Sequence, residues 1–147
     1  MTLSEIGEPP EVATTQQRSI LDRLLLVSVN RSVLGWSLYQ QGRYAEARVE
    51  LQKAIEIAER ESLTTQAIYF RLGQTLEKLD GFDAALEAYF KELAWGAHVA
   101  PTQAAITALY RRLHGTFDGL EIAQRTRVND LVAKRLEVGA RSHSAHR

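Results

Sequence analysis

From Ile20 onward, apolar residues recur at Ile20, Leu24, Val27, Leu34 and Leu38, offsets that keep one face of a 3.6-residue helix. No Gly or Pro interrupts the stretch between Glu11 and Leu34. The pattern therefore predicts one long helix from about Thr15 to Gln41, rather than a short leader helix that breaks near Asn30. Thr14 and Thr15 are its candidate N-caps, and Gly42 ends it, because glycine takes the left-handed conformation at low cost. Tyr44, Ala47, Leu51, Ala54, Ile55 and Ala58 form the stripe of a second helix that stops near Glu61 to Leu63. Thr64 and Thr65 are candidate caps for a third, bearing Ile68, Tyr69, Leu72, Leu76 and Leu79. Asp80-Gly81 signals a turn. A fourth helix carries Phe82, Ala85, Leu86, Tyr89 and Leu93 and closes at Gly96. Pro101 suits the first turn of a fifth, where its missing N–H costs nothing. This helix packs Ile106, Leu109 and Leu113 before Gly115. A sixth runs from about Asp118 to Val138 through Leu120, Val128, Leu131, Val132 and Leu136, with Gly139 as its stop. No segment alternates in the manner of a strand, so the fold class is all-α.

The helices repeat. Leu34-Gly35, Leu38, Gly42, Tyr44, Ala47, Leu51 and Ala54 are echoed thirty-eight residues on by Leu72-Gly73, Leu76, Gly81, Phe82, Ala85 and Tyr89. Two antiparallel helices that meet closely need small residues at the contact. Gly35 and Gly73 on the first helix of each pair, facing Ala47 and Ala85 on the second, meet that need. Leu34, Leu38, Tyr44 and Leu51, then Leu72, Leu76, Phe82 and Tyr89, fill the space around them. One hairpin cannot bury its apolar face alone, so such units stack.

This pattern resembles the tetratricopeptide repeat (TPR), with units at Ser28 to Glu61 and Gln66 to Val99. There are departures. Arg31 stands where an aromatic is usual, Glu92 where alanine is usual, Glu59 in place of the terminal proline, and Gly81 falls one place late. Pro101 to Val138 keeps only Ala108, Gly115, Phe117 and Leu120, which makes it a degenerate third repeat or a capping hairpin. The resemblance implies an α-solenoid of antiparallel helical hairpins in a right-handed stack over residues 14–139. A flexible arm (1–13) precedes it and a polar tail (140–147) follows.

The resemblance also implies a function: a non-catalytic scaffold or adaptor that holds a peptide or helix of a partner protein in a concave groove. Groove-facing repeat positions are Val29, Ser32, Trp36 and Tyr39, then Ala67, Phe70, Gln74 and Glu77. Trp36, Tyr39 and Phe70 would form an aromatic patch there, unless another helix folds over them as core. The family's carboxylate clamp is not expected, since Ser32, Trp36 and Arg71 occupy the places where its Lys, Asn and Arg would fall. Two and a half repeats leave an apolar end face. Ile20 to Val29 and the sixth helix are its candidate caps, and without them a homo-oligomer through an end face is expected.

Composition narrows the alternatives. A chain of 147 residues with 45% apolar and 24% charged residues fits one globular domain. Eighteen basic residues balance eighteen acidic ones, so no global field attracts nucleic acid or membrane. Zero cysteines exclude a disulfide scaffold, a thiolate metal site and a cysteine nucleophile. Met1 to Glu11 has no basic n-region, and the longest apolar run, Leu24 to Val29, is too short to cross a bilayer, so a cytoplasmic location is expected. No catalytic residues, cofactor or metal are expected. His98 and His114 sit near helix ends, His143 and His146 lack a third ligand, and Asp80 and Asp83 are explained by a turn and a helix start. The second reading of function comes from the last stretch. Arg111, Arg112, Arg125, Arg127, Lys134, Arg135, Arg141 and Arg147 face four acids there, and a basic final helix can bind nucleic acid or another polyanion.

Overall fold

A computed structural model describes residues 14–61, 63 and 67–145; for 140–145 it describes the backbone alone. Six helices follow one another: α1 (Thr15–Gln40), α2 (Tyr44–Arg60), α3 (Ile68–Lys78), α4 (Phe82–Trp95), α5 (Val99–His114) and α6 (Leu120–Ala145). The described residues contain no strand. From α1 to α5 each helix packs on the next, as in a solenoid of helical hairpins, and α6 packs on α4. The 1–13 arm and the caps expected at Thr64 and Thr65 lie outside the described residues.

The long first helix is continuous through Asn30. Thr14 starts it with a capping box: its Oγ1 accepts from the Gln17 N–H at 3.1 Å, and Gln17 Oε1 accepts from the Thr14 N–H at 2.8 Å. At the other end the Gly42 N–H donates to Tyr39 O and the Arg43 N–H to Leu38 O, with Gly42 at φ +78°. These are the two bonds of a Schellman motif. The second hairpin repeats them in register: Asp80 N–H to Glu77 O, and Gly81 N–H to Leu76 O. The left-handed residue there is Asp80, at φ +59°. That is why a glycine appears one place late in the sequence: Gly81 matches Arg43, and Asp80 takes the place of Gly42.

Within each hairpin the small residue admits a large one. A Cβ on Gly35 would stand 2.7 Å from Leu51 Cγ and 3.3 Å from the Ala47 carbonyl oxygen. A Cβ on Gly73 would meet the ring of Tyr89 first, as one on Gly35 meets Leu51, its repeat equivalent. Tyr89 is fully buried, with its ring laid across that glycine. Ser28 Oγ donates to Ala54 O at 3.0 Å, tying α1 to α2. From Leu51 and Ala54 the core continues through Ile68, Leu72 and Tyr89 to Ile106, Leu109 and Leu131.

Two further expectations are corrected. Leu34 was expected to fill the first hairpin, but it is 47% exposed, whereas Leu72, its repeat equivalent, is 8% exposed. Helix α2 packs on α3 and covers Leu72; no described helix stands on the outer side of α1. Gly139 does not end α6, which runs on to Ala145; one glycine costs a helix only about 1 kcal/mol. Ala108 is exposed, because α6 leans on α4 more than on α5. Trp95 Nε1–H donates to Leu131 O at 3.2 Å, and Arg127 and Arg135 pair with Glu87 and Glu59.

Glu92 replaces the repeat's usual alanine and is fully buried on α4. Its Oε1 accepts from the Phe70 N–H at 3.4 Å, one of the free donors in the first turn of α3. Helix α3 has no side-chain cap of its own, and its N-cap residue Ala67 lies in the left-handed region at φ 65°. Glu92 thus caps α3 from the neighbouring helix. Oε2 has no hydrogen-bond partner. Burial pushes this carboxyl's pKa up, against the Phe70 N–H and the nearby His98, which pull it down.

Candidate partner-binding groove

Trp36 and Tyr39 are three residues apart on α1 and therefore share a face. Their rings stack in parallel, centroids 4.7 Å apart at an interplanar angle of 7°. Tyr44, from the start of α2, meets Tyr39 edge-on at 5.3 Å. Arg71 reaches from α3 and sets its guanidinium 5.1 Å from the centre of the Trp36 ring, a cation–π contact. Trp36, Tyr39 and Arg71 are all half-buried. Among the described residues no carboxylate pairs with Arg71.

Phe70, expected beside Trp36, has its ring contacts elsewhere: with Tyr89 at 5.8 Å and with His98 at 4.9 Å. It stays half-buried. Of the other expected positions, Val29, Ala67, Gln74 and Glu77 are half-buried and Ser32 is buried. Glu77 accepts a short hydrogen bond from the Tyr89 hydroxyl. Burial above all, and this bond next, raise the pKa of that hydroxyl far beyond the ordinary tyrosine range. Gln74 Oε1 is shielded from solvent and has no hydrogen-bond partner. Here α1 and α3 supply an aromatic shelf, a cation stacked on it and an unanswered amide carbonyl.

A second concavity escaped the sequence reading. A cleft of about 640 Å³ opens between α5 and α6, over Leu93 of α4, and is lined by Thr107, Phe117, Leu120 and Val128. Gln103 and Gln124 exchange two amide hydrogen bonds across it, at 2.9 and 2.6 Å. No spacing rule joins two glutamines on separate helices, so nothing in the chain pointed to them.

The basic residues of α6 are spoken for within the molecule. Arg125 pairs with Glu121, Arg127 with Glu87 and Asp130, Lys134 with Asp130, and Arg135 with Glu59. Arg111 and Arg112 lie over the rings of Phe117 and Phe82. The side chains of Arg141 and Arg147 lie outside the described residues. His98 and His114 pack on Phe70 and Tyr110. Among the described residues no cluster of His, Asp and Glu has metal-ligand geometry, and no helix is long and apolar enough to cross a membrane. His143 and His146 are outside the described side chains.

Residues 32–61, the later part of α1 with α2, match the tetratricopeptide repeat family. No curated protein and no solved structure matches the chain.

Proposed function

We propose, for a chain whose residues 32–61 match the tetratricopeptide repeat family, a role as a non-catalytic scaffold that grips a segment of a partner protein on the shelf of Trp36 and Tyr39. The observation that carries this reading is the stack itself, two parallel aromatic rings under the guanidinium of Arg71, half-open on the face that α1 and α3 share. Aromatic and arginine side chains are the residue types that concentrate binding energy at interfaces. Arg71, without an acid of its own, favours a partner segment that brings a carboxylate alongside an apolar side chain.

The test uses the intact chain as bait for proteins of its native lysate, beside Trp36→Ala and Arg71→Ala. A partner retained by the intact chain and lost from both variants supports the shelf. A partner retained equally by all three removes it.

The polyanion reading is weaker, since four of the six described arginines and lysines that suggested it are already ion-paired. Binding to duplex DNA or RNA that falls steeply with salt would favour it over the shelf.

A further inference from the structure

The first two hairpins fill the space between their helices with a large apolar side chain, and the third leaves that space open. Gly35 and Gly73 stand seven residues before the left-handed residue at the end of their helix, and Leu51 and Tyr89, the eighth residues of α2 and α4, lie across them. In the third hairpin the matching residues are Ala108, seven before Gly115, and Arg127, the eighth residue of α6. Arg127 pairs instead with Glu87 on α4. The connecting turn is longer too: α6 starts five residues after Gly115, whereas α2 and α4 start two after Gly42 and Asp80. Helix α6 therefore leans on α4, and Ala108 stays exposed. The cleft of about 640 Å³ between α5 and α6 is the space so vacated, and its size is that of small-molecule sites, about 300–1,000 Å³. It shares Gln103, Thr107 and Phe117 with a hollow of about 800 Å³ along α5 that Ala108 and Arg111 line.

We propose that this trough binds a long-chain carboxylate, with the hydrocarbon between α5 and α6 and the carboxylate on Arg111. Leu93, Leu120, Val128 and Phe117 supply the apolar contact that Leu51 and Tyr89 supply in the other hairpins. The polar lining is answered from within. Gln103 and Gln124 exchange their amide bonds, Thr107 Oγ1 donates to the Gln103 carbonyl at 2.9 Å, and Arg125 at the rim pairs with Glu121. The body of an occupant therefore needs no hydrogen-bonding groups. Arg111 differs: its guanidinium lies 5.3 Å from the centre of the Phe117 ring, and among the described residues no carboxylate pairs with it. Gln103, Thr107 and Arg111 follow at four-residue intervals, a row of α5 that ends in the guanidinium about 12 Å along the helix from Gln103. A cation at the end of an apolar run complements an anion at the end of a hydrocarbon chain. Width selects against a helix, which is about 10–12 Å across with its side chains, because the amide bridge holds the walls at the reach of two glutamines. The trough is separate from the shelf on α1 and α3.

Calorimetric titration of the full chain with dodecanoate, kept below its micelle concentration, tests this. One equivalent binds, and Arg111→Gln weakens the affinity about tenfold, the worth of one charge-assisted contact. Dodecanol, which lacks the charge, binds the unaltered chain about as weakly as dodecanoate binds the variant, and Arg111→Gln does not change its affinity. Val128→Trp fills the cleft and abolishes binding of both, while Trp36→Ala leaves both alone. In amide NMR spectra dodecanoate moves the signals of Gln103, Thr107 and Gln124 and not that of Trp36. Arg111 is exposed, so Arg111→Gln keeps the fold, which an unchanged circular dichroism melt verifies. Equal affinity of dodecanoate for the unaltered chain and Arg111→Gln overturns the proposal, as does the absence of binding. A chain that ignores dodecanoate, yet loses a lysate partner on Arg111→Gln and keeps it on Trp36→Ala, also overturns it and gives the trough to a protein segment.

Discussion

The ring of Tyr89 lies over Gly73 so closely that a single Cβ there would come 2.6 Å from its Cδ1. The contact joins the two helices of the second hairpin. Because Tyr89 is fully buried, its ring has no free space into which to withdraw. Gly73→Ala should therefore destabilise by about 1–3 kcal/mol, even though alanine gains about 1 kcal/mol over glycine in a helix interior. Chemical denaturation of the two proteins measures the difference, and an equal or higher stability for the alanine variant contradicts the packing.

Asp80 and Gly42 hold the same left-handed position in the two Schellman motifs. An L-residue pays about 1–2 kcal/mol for that conformation, somewhat less when it is Asp. Asp80→Gly should raise stability by up to about 1 kcal/mol, and Gly42→Ala should lower it by about 1 kcal/mol. Opposite shifts in denaturation midpoint are the signature; shifts of one sign would refute the equivalence of the turns.

Glu92 should make the fold more stable in mild acid than at neutrality, as far as this residue contributes. Its pKa is raised in the folded state, chiefly by burial. The folded chain then holds a proton that the unfolded chain has released, and stability falls as pH rises from the ordinary 4.5 towards the folded value. Glu92→Gln keeps the acceptor for Phe70 N–H and removes the titration. Melting curves across that range should show a shallower slope for the variant, and parallel profiles would mean that Glu92 does not titrate there. His98 acts electrostatically on the carboxylate, so the comparison is repeated in a His98→Gln background.

Trp36→Ala should cost well under the about 3–5 kcal/mol typical of a core tryptophan, because the ring is half-exposed and leans on Tyr39 and Arg71. Stability is read from denaturant midpoints. A loss of full core size would class the ring as structural and weaken the case for a binding shelf.

Local order was legible in the chain because its causes are local. The 3.6-residue spacing from Ile20 to Leu38, the capping threonine at 14 and the Gly42 turn each act within a few residues. So do the second set of apolar positions thirty-eight residues later and the stop at Gly115. From them came six helices, two matching hairpins and the pairing of Trp36 with Tyr39 on one face. Periodicity, however, reports which side of a helix is apolar and not which neighbour covers it. Leu34 and Leu72 occupy the same motif position and end on opposite sides of the burial divide, because α2 stands beside one and no described helix beside the other. Phe70 stands where the repeat places it, yet its ring turns to Tyr89 and His98, whose positions are set by α4 and the start of α5. The basic helix α6 reads as a free cationic surface until Glu87 and Glu59, forty and seventy-six residues away in the chain, come to meet it. Those outcomes depend on how helices distant in sequence share the available apolar surface and charge, and only the tertiary packing decides that.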